Sequence, residues 1–198
     1  MSVVKISLTK EDIEMCWNFA STIISEKNQF NRMIKFGLNK QDEILYRIKR
    51  TFVGKIGEIA FYRFLEQNKI NPGNLVKMFE IYEGEQNVDK FDFQTKKGLT
   101  IDVKTAVFQN HKNLVVPYDQ FKNMAKDIYV GIKLDIPLNI KDYDETFTKD
   151  VVKDVFIYGY VMYEDLKNLQ TTNLGEFPCK AVSIFKLKNI MELLALFK

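Results

Sequence analysis

Alternation and helical spacing divide the chain into a series of elements. Val3 to Leu8 is rich in β-formers and reads as a strand. Thr9 then offers a helix N-cap, with Asp12 as a partial capping box, and Ile13, Trp17, Ala20 and Ile24 recur at helical spacing. The polar, Asn-rich stretch around residues 25–40 embeds Phe30, Met33, Ile34 and Phe36 and reads as a loop or short helix. A long amphipathic helix follows over roughly Gln41 to Gln67, with Leu45, Ile48, Phe52, Ile56 and Ile59 as its apolar stripe. Asn71-Pro72-Gly73 marks a turn, and Phe79 to Tyr82 reads as a short strand. Lys90 to Gln94 and Leu99 to Phe108 alternate on either side of the turn-like Thr95-Lys96-Lys97-Gly98, which predicts a hairpin. After a polar segment, strands are expected over Ile128 to Leu134, Val155 to Met162 and Ala181 to Leu187. A short helix is expected from Tyr163, and a helical turn or two over Met191 to Phe197. The acidic, polar stretch Asp135 to Asp154 reads as an excursion from the core. This order predicts an α/β protein, a single domain over residues 1–198 with a central mixed β-sheet flanked by helices.

Composition narrows the choice of chemistry. A chain of 198 residues, 46% hydrophobic and 28% charged, fits one globular domain with a sizeable core. The net charge of +3, from 29 basic and 26 acidic residues, leans only weakly towards a polyanionic partner unless the basic residues cluster. Cys16 and Cys179 have no metal-binding or redox spacing and are expected to be reduced core thiols. The single histidine, His111, excludes histidine-clustered zinc sites and would have to serve any Ser-His-Asp triad by itself. No apolar run reaches the roughly 18 residues of a membrane span, and Met1 to Lys10 has no signal-peptide pattern, so a cytoplasmic location is expected.

The chemistry centres on Asp102-Val103-Lys104. Residues two apart in a strand share a face, so Thr100, Asp102 and Lys104 point one way and Ile101 and Val103 the other. A second D-x-K, Asp165-Leu166-Lys167, lies in a polar, helix-like context and reads as solvated surface. Asp92, between Phe91 and Phe93, shares the face of Asp102 if the hairpin loop holds an odd number of residues. With a four-residue loop Asp89 takes that place, unless a β-bulge restores Asp92. Glu58 lies on the long helix within Gly54-Lys55-Ile56-Gly57-Glu58. Glycine costs about 1 kcal/mol in a helix interior, so two near one carboxylate mark close approach by a ligand or tight packing against the sheet.

Glu58, Asp92 and Asp102-Val103-Lys104 together resemble the PD-(D/E)XK nuclease superfamily. Ile-Gly-Glu-Ile-Ala-Phe on the helix, Ile-Asp-Val-Lys-Thr on the strand, and the strand-to-helix run from Val155 extend the likeness over most of the chain. It is weakest over residues 25–40 and 135–154, and Phe91 stands where the motif has proline. The resemblance implies a restriction-endonuclease-like fold and a Mg²⁺-dependent DNA endonuclease, with Mn²⁺ as substitute. Asp92, Asp102 and the Val103 carbonyl would then hold the metal, with Glu58 as a further ligand, directly or through water. Lys104 would orient or help deprotonate the attacking water and neutralise the phosphate. Without metal, so many carboxylates at one spot should leave one perturbed. The implied partner is double-stranded DNA, cut by a homodimer in the manner of a restriction enzyme or a phage or mobile-element nuclease. The alternatives are a structure-selective nuclease, such as a Holliday-junction resolvase, and a catalytically inactive nucleic-acid-binding protein.

Arg47, Arg50, Gly54 and Glu58 fall within a sector of about 80° on the long helix. With Lys55 and Lys112, the two arginines are the candidate DNA contacts, against a plain solvated helix face. Lys96 and Lys97 are weaker candidates. His111 reads as a surface histidine or as a base or phosphate contact, and Tyr158, Tyr160 and Tyr163 read as packing residues.

Overall fold

Thr9 and Asp12 close the start of the first helix by exchanging backbone-to-side-chain hydrogen bonds of 3.2 and 3.1 Å, the capping box expected there. The computed structural model describes residues 3–25, 39–80, 91–174 and 177–198. Strand β1 (Val4–Ile6) leads into α1 (Lys10–Ser25), and the long α2 (Lys40–Gln67) is capped by the Asn39 side chain, which accepts from the Asp42 N–H at 3.0 Å. Next come β2 (Phe93–Gln94), β3 (Thr100–Ala106), β4 (Asn113–Pro117), α3 (Tyr118–Asn123) and β5 (Ile128–Asp135). The chain ends through β6 (Asp154–Met162), α4 (Tyr163–Lys167), β7 (Thr172–Asn173), β8 (Pro178–Ser183) and α5 (Ile190–Leu193).

Five strands form one sheet in the order β1-β6-β5-β3-β2. Among the described residues only β3 and β5 run parallel; the other neighbours are antiparallel, so the sheet is mixed. Three strands, β4-β8-β7, form a second, antiparallel sheet. The protein is thus mixed α/β, with helices flanking a mixed central sheet. No helix among the described residues is long and apolar enough to cross a membrane.

Alternation along β3 decides which side of the sheet meets which layer. Ile101 and Val103 join the main core with Phe52, Ile56, Ile59 and Phe61 of α2. Gly57 is the point of closest approach: a Cβ there would overlap the hydroxyl of Thr105, so the helix settles against β3 only because position 57 has no side chain. Gly54, one turn earlier, has nothing within 4 Å of where its Cβ would stand. The opposite face carries Asp102 and Lys104, beside Tyr129 and Gly131 of β5. Tyr129 packs there in a second core with Leu114, Val116, Phe121, Val161 and Leu187. Leu187 and Leu114 occupy the space that a side chain on Gly131 would need, which brings the second sheet over the first.

Several expectations need correction. Leu45 is 39% exposed and leaves the apolar stripe of α2, whereas Ile48, Phe52, Ile56 and Ile59 are buried. In place of a strand beginning at Phe79, a 3₁₀ helix runs over Leu75–Phe79 and is capped by Glu80; residues 81–82 of that expected strand, and residues 26–38 of the loop or short helix expected over 25–40, lie outside the described residues. The polar segment before β5 folds into β4 and α3. Strand β8 begins at Pro178 and stops at Ser183, where a 3₁₀ turn over Ile184–Lys186 takes over. The stretch between β5 and β6 is no excursion, because Ile136, Ile140, Phe147 and Val152 are buried in the main core. Beneath it the buried Lys49 ammonium donates to the Asp144 carbonyl. Cys16 and Cys179 are buried free thiols, as expected.

Candidate active site

Strand β2 stops at Phe93, opposite Ile101, and Gln94 pairs with Thr100, so the loop between these paired residues holds an odd number. Asp92 is the residue just before this paired segment, and the charge of Asp102 acts on its carboxyl; Asp89 lies outside the described residues. The Asp92 N–H donates to the Ile101 carbonyl at 3.0 Å. Its carboxylate Oδ2 then accepts from the Val103 N–H at 2.7 Å, in the place where a further ladder partner would stand. The side chain thus ends the ladder as well as joining the site. A strand residue's N–H and C=O leave on the same side, so the Val103 carbonyl also points towards the edge where β2 has stopped.

The Asp92 carboxyl is enclosed although the residue as a whole is only half-buried. Burial first, then the negative charges of Glu58 and Asp102, push its pKa well above the ordinary carboxylate range. The Val103 N–H and the Lys104 ammonium oppose the shift without cancelling it. Asp92 is thus a perturbed carboxyl with acidic neighbours. Asp102 and Lys104 form an ion pair of 2.7 Å, with side chains 20% and 21% exposed. The Lys104 ammonium also donates to Oε1 of Gln120, on α3, at 3.2 Å. Glu58, approaching from α2 on the other side of the sheet, pairs with Lys55 at 2.6 Å. Asp92, at the end of the ladder, feels both groups.

Lys55 therefore does not present its charge to a ligand from outside. Its ammonium also donates to the Met78 carbonyl at 2.8 Å and lies 4.7 Å from the Phe19 ring centre. Arg47 is similarly engaged, paired with Glu43. Among the described residues no three His, Cys, Asp or Glu side chains stand close enough together to hold a metal ion. Glu58 is paired with Lys55, and Asp102 with Lys104.

Arg50 and Lys112 lie together elsewhere. A cleft of about 820 Å³ runs between the two sheets, and Lys104 and Gln120 line it. Arg50, His111, Lys112 and Lys141 line it too, with Asp142 as the one carboxylate among the described residues. A smaller cavity of about 520 Å³ shares Lys112 with it and adds Lys133. Burial and the positive charges of Lys133 and Arg50 lower the His111 pKa. Its Nδ1 accepts from the Val107 N–H at 3.4 Å, a role open only to the neutral ring that the lowered pKa favours. His111 is thus half-buried, not an open surface residue. Lys96 and Lys97 are exposed in the hairpin turn. Asp165 and Lys167 lie on α4, away from this site, where Asp165 pairs with Lys188 at 2.7 Å. Tyr158, Tyr160 and Tyr163 pack, as expected.

Sequence reasoning missed Gln120, Lys133 and Lys141. A lone amide in a polar run carries no periodic signal, and single lysines do not declare which surface they will share. No protein-family model, curated protein or solved structure matches the chain.

Proposed function

We propose that the chain is a metal-dependent DNA endonuclease with a restriction-endonuclease-like fold of the PD-(D/E)XK kind. The observation that carries this reading is the convergence on Asp92: Glu58 and Asp102 come from separate elements into the field of one enclosed carboxyl. Such an arrangement is unfavourable in itself and gains a purpose if a cation is to sit there. Gathered closer than they stand here, Glu58, Asp92, Asp102 and the Val103 carbonyl would be a hard-oxygen donor set of the kind that Mg²⁺ or Mn²⁺ takes. For Glu58 and Asp102 to serve, they must turn away from Lys55 and Lys104. Such an ion, when bound, stabilises charge on a phosphate and makes water more acidic. Lys104 then lies beside the carboxylates at the wall of a cation-lined cleft, placed to orient the attacking water and neutralise the scissile phosphate. Arg50, Lys112 and Lys141 would hold flanking phosphates of duplex DNA. Cutting both strands would take two copies of the chain.

The two ion pairs favour a second reading. With Lys55 on Glu58 and Lys104 on Asp102, much of the acidic charge is balanced within the chain, as suits a binding protein that does not cut. Supercoiled plasmid incubated with Mg²⁺, Mn²⁺ or chelator separates them. The nuclease reading expects metal-dependent nicking, lowered on the order of 100-fold or more in Lys104→Ala and Asp102→Asn. Binding without cutting under every metal supports the second reading. Strong preference for a four-way junction redirects the assignment to a resolvase. Neither binding nor cutting defeats both readings.

A further inference from the structure

An ammonium has three N–H donors in fixed tetrahedral directions and no acceptor. Lys104 has spent two of them, on Asp102 at 2.7 Å and on Gln120 at 3.2 Å. Two fixed acceptors settle the rotation of the group and therefore the direction of the third donor. The partners are not equivalent. Asp102 is a charged group that a bound cation would claim, and on binding it would release its share of the ammonium. Gln120 is neutral, a poorer ligand for a hard cation, and comes from a different sheet layer.

Its own position is well fixed. Pro117 ends β4 and leads straight into α3. The next residue after Gln120, Phe121, is buried, stacks on Tyr163 with ring centres 4.8 Å apart, and has the Lys180 ammonium 5.5 Å from its ring centre. Lys180 is itself buried and donates to the carbonyls of Lys167 and Leu169 at the end of α4. A short helix anchored in this way holds the amide at the cleft wall.

We propose that Gln120 is the positioning residue for Lys104, the acceptor that keeps the ammonium aimed into the cleft when Asp102 is occupied. Helix α3, which follows β4 of the second sheet, thereby acts on a lysine of the first. This rests on the nuclease reading for its consequence in rate, but the contact can be tested without it.

Two variants separate the acceptor from the packing. Gln120→Met keeps the length and removes the oxygen, and Gln120→Glu keeps an oxygen in the same place. In single-turnover and steady-state cleavage with Mg²⁺, Gln120→Met should lower kcat on the order of 100-fold with KM nearly unchanged. Gln120→Glu should restore most of that loss. In a Lys104→Ala background, Gln120→Met should have no further effect. Unchanged kcat in Gln120→Met, or a loss confined to KM, overturns the proposal; the latter would make Gln120 a DNA contact. Independently of cleavage, the protein labelled at lysine ¹³Cε gives a Lys104 resonance, assigned by its disappearance in Lys104→Arg. That signal should move towards the free-lysine position and sharpen in Gln120→Met, and stay in place in Gln120→Glu. An unmoved Lys104 signal in Gln120→Met defeats the proposal even if the protein cuts DNA. A wild type that never cuts defeats the nuclease reading and leaves the contact to be decided by this spectrum.

Discussion

Asp92 holds its proton more tightly in the fold than an exposed carboxyl does, because burial and two negative neighbours disfavour its charged form. The folded state therefore binds more protons than the unfolded one from the ordinary carboxylate pKa up to the raised folded value. Stability is lost as pH rises through that window and is not regained above it. Asparagine at this position can still accept the Val103 N–H and carries no charge. Asp92→Asn is thus expected to raise the Tm of chelator-treated protein, and more at pH 8 than at about pH 5. Mg²⁺ should raise the Tm of wild type and not of the variant. Thermal unfolding across that range decides it. A variant less stable than wild type at every pH would mean that the carboxylate serves only to terminate the ladder.

At the scale of elements, α2 meets β3 through one missing side chain. Gly57→Ala must push its new methyl into Thr105 and should cost about 1–3 kcal/mol or more by denaturant unfolding. Thr105→Ala removes the hydroxyl in the way and should recover part of that loss in the double variant, whose effects then fail to add. Gly54→Ala meets no atom and should stabilise by up to about 1 kcal/mol through helix propensity alone. Identical losses at both glycines would contradict this geometry. The two are indistinguishable in sequence, where each is simply a glycine near a carboxylate. What was legible is what periodicity records: the capping box at Thr9, the length of α2, and the two faces of β3. The odd hairpin loop, one of the alternatives left open, is settled only by backbone register. The second sheet was hidden because Asn113–Pro117 is a short strand within a polar run, and its partner strand lies far along the chain, with Leu114 opposite Val182.

Across the whole molecule, four of the candidate DNA contacts fall into two groups. Arg47 and Lys55 satisfy carboxylates, whereas Arg50 and Lys112 line the cavity between the sheets. A helix-face pattern put Arg47 and Arg50 in one class, since it cannot see which neighbours will arrive from elsewhere. Under the proposed function, Arg50→Ala and Lys112→Ala should each weaken duplex binding and reduce the slope of log affinity against log salt by about 1. Arg47→Ala should leave that slope unchanged. Fluorescence anisotropy at several salt concentrations measures it, and equal slopes in all three variants would remove the cleft as the DNA-binding surface.

Tyr143 stands in the cleft wall, edge-on to Phe108 and Phe147 at 5.0 and 5.1 Å, and the chain beside it is fastened from below by Lys49. Burial lowers the pKa of that lysine, so its ammonium depends on the Asp144 carbonyl for company. Swinging the segment outward would strand the amine among apolar side chains and unstack three rings at once. The channel is therefore bounded on this side by a fixed bank rather than a door, and whatever enters must conform to its width on arrival.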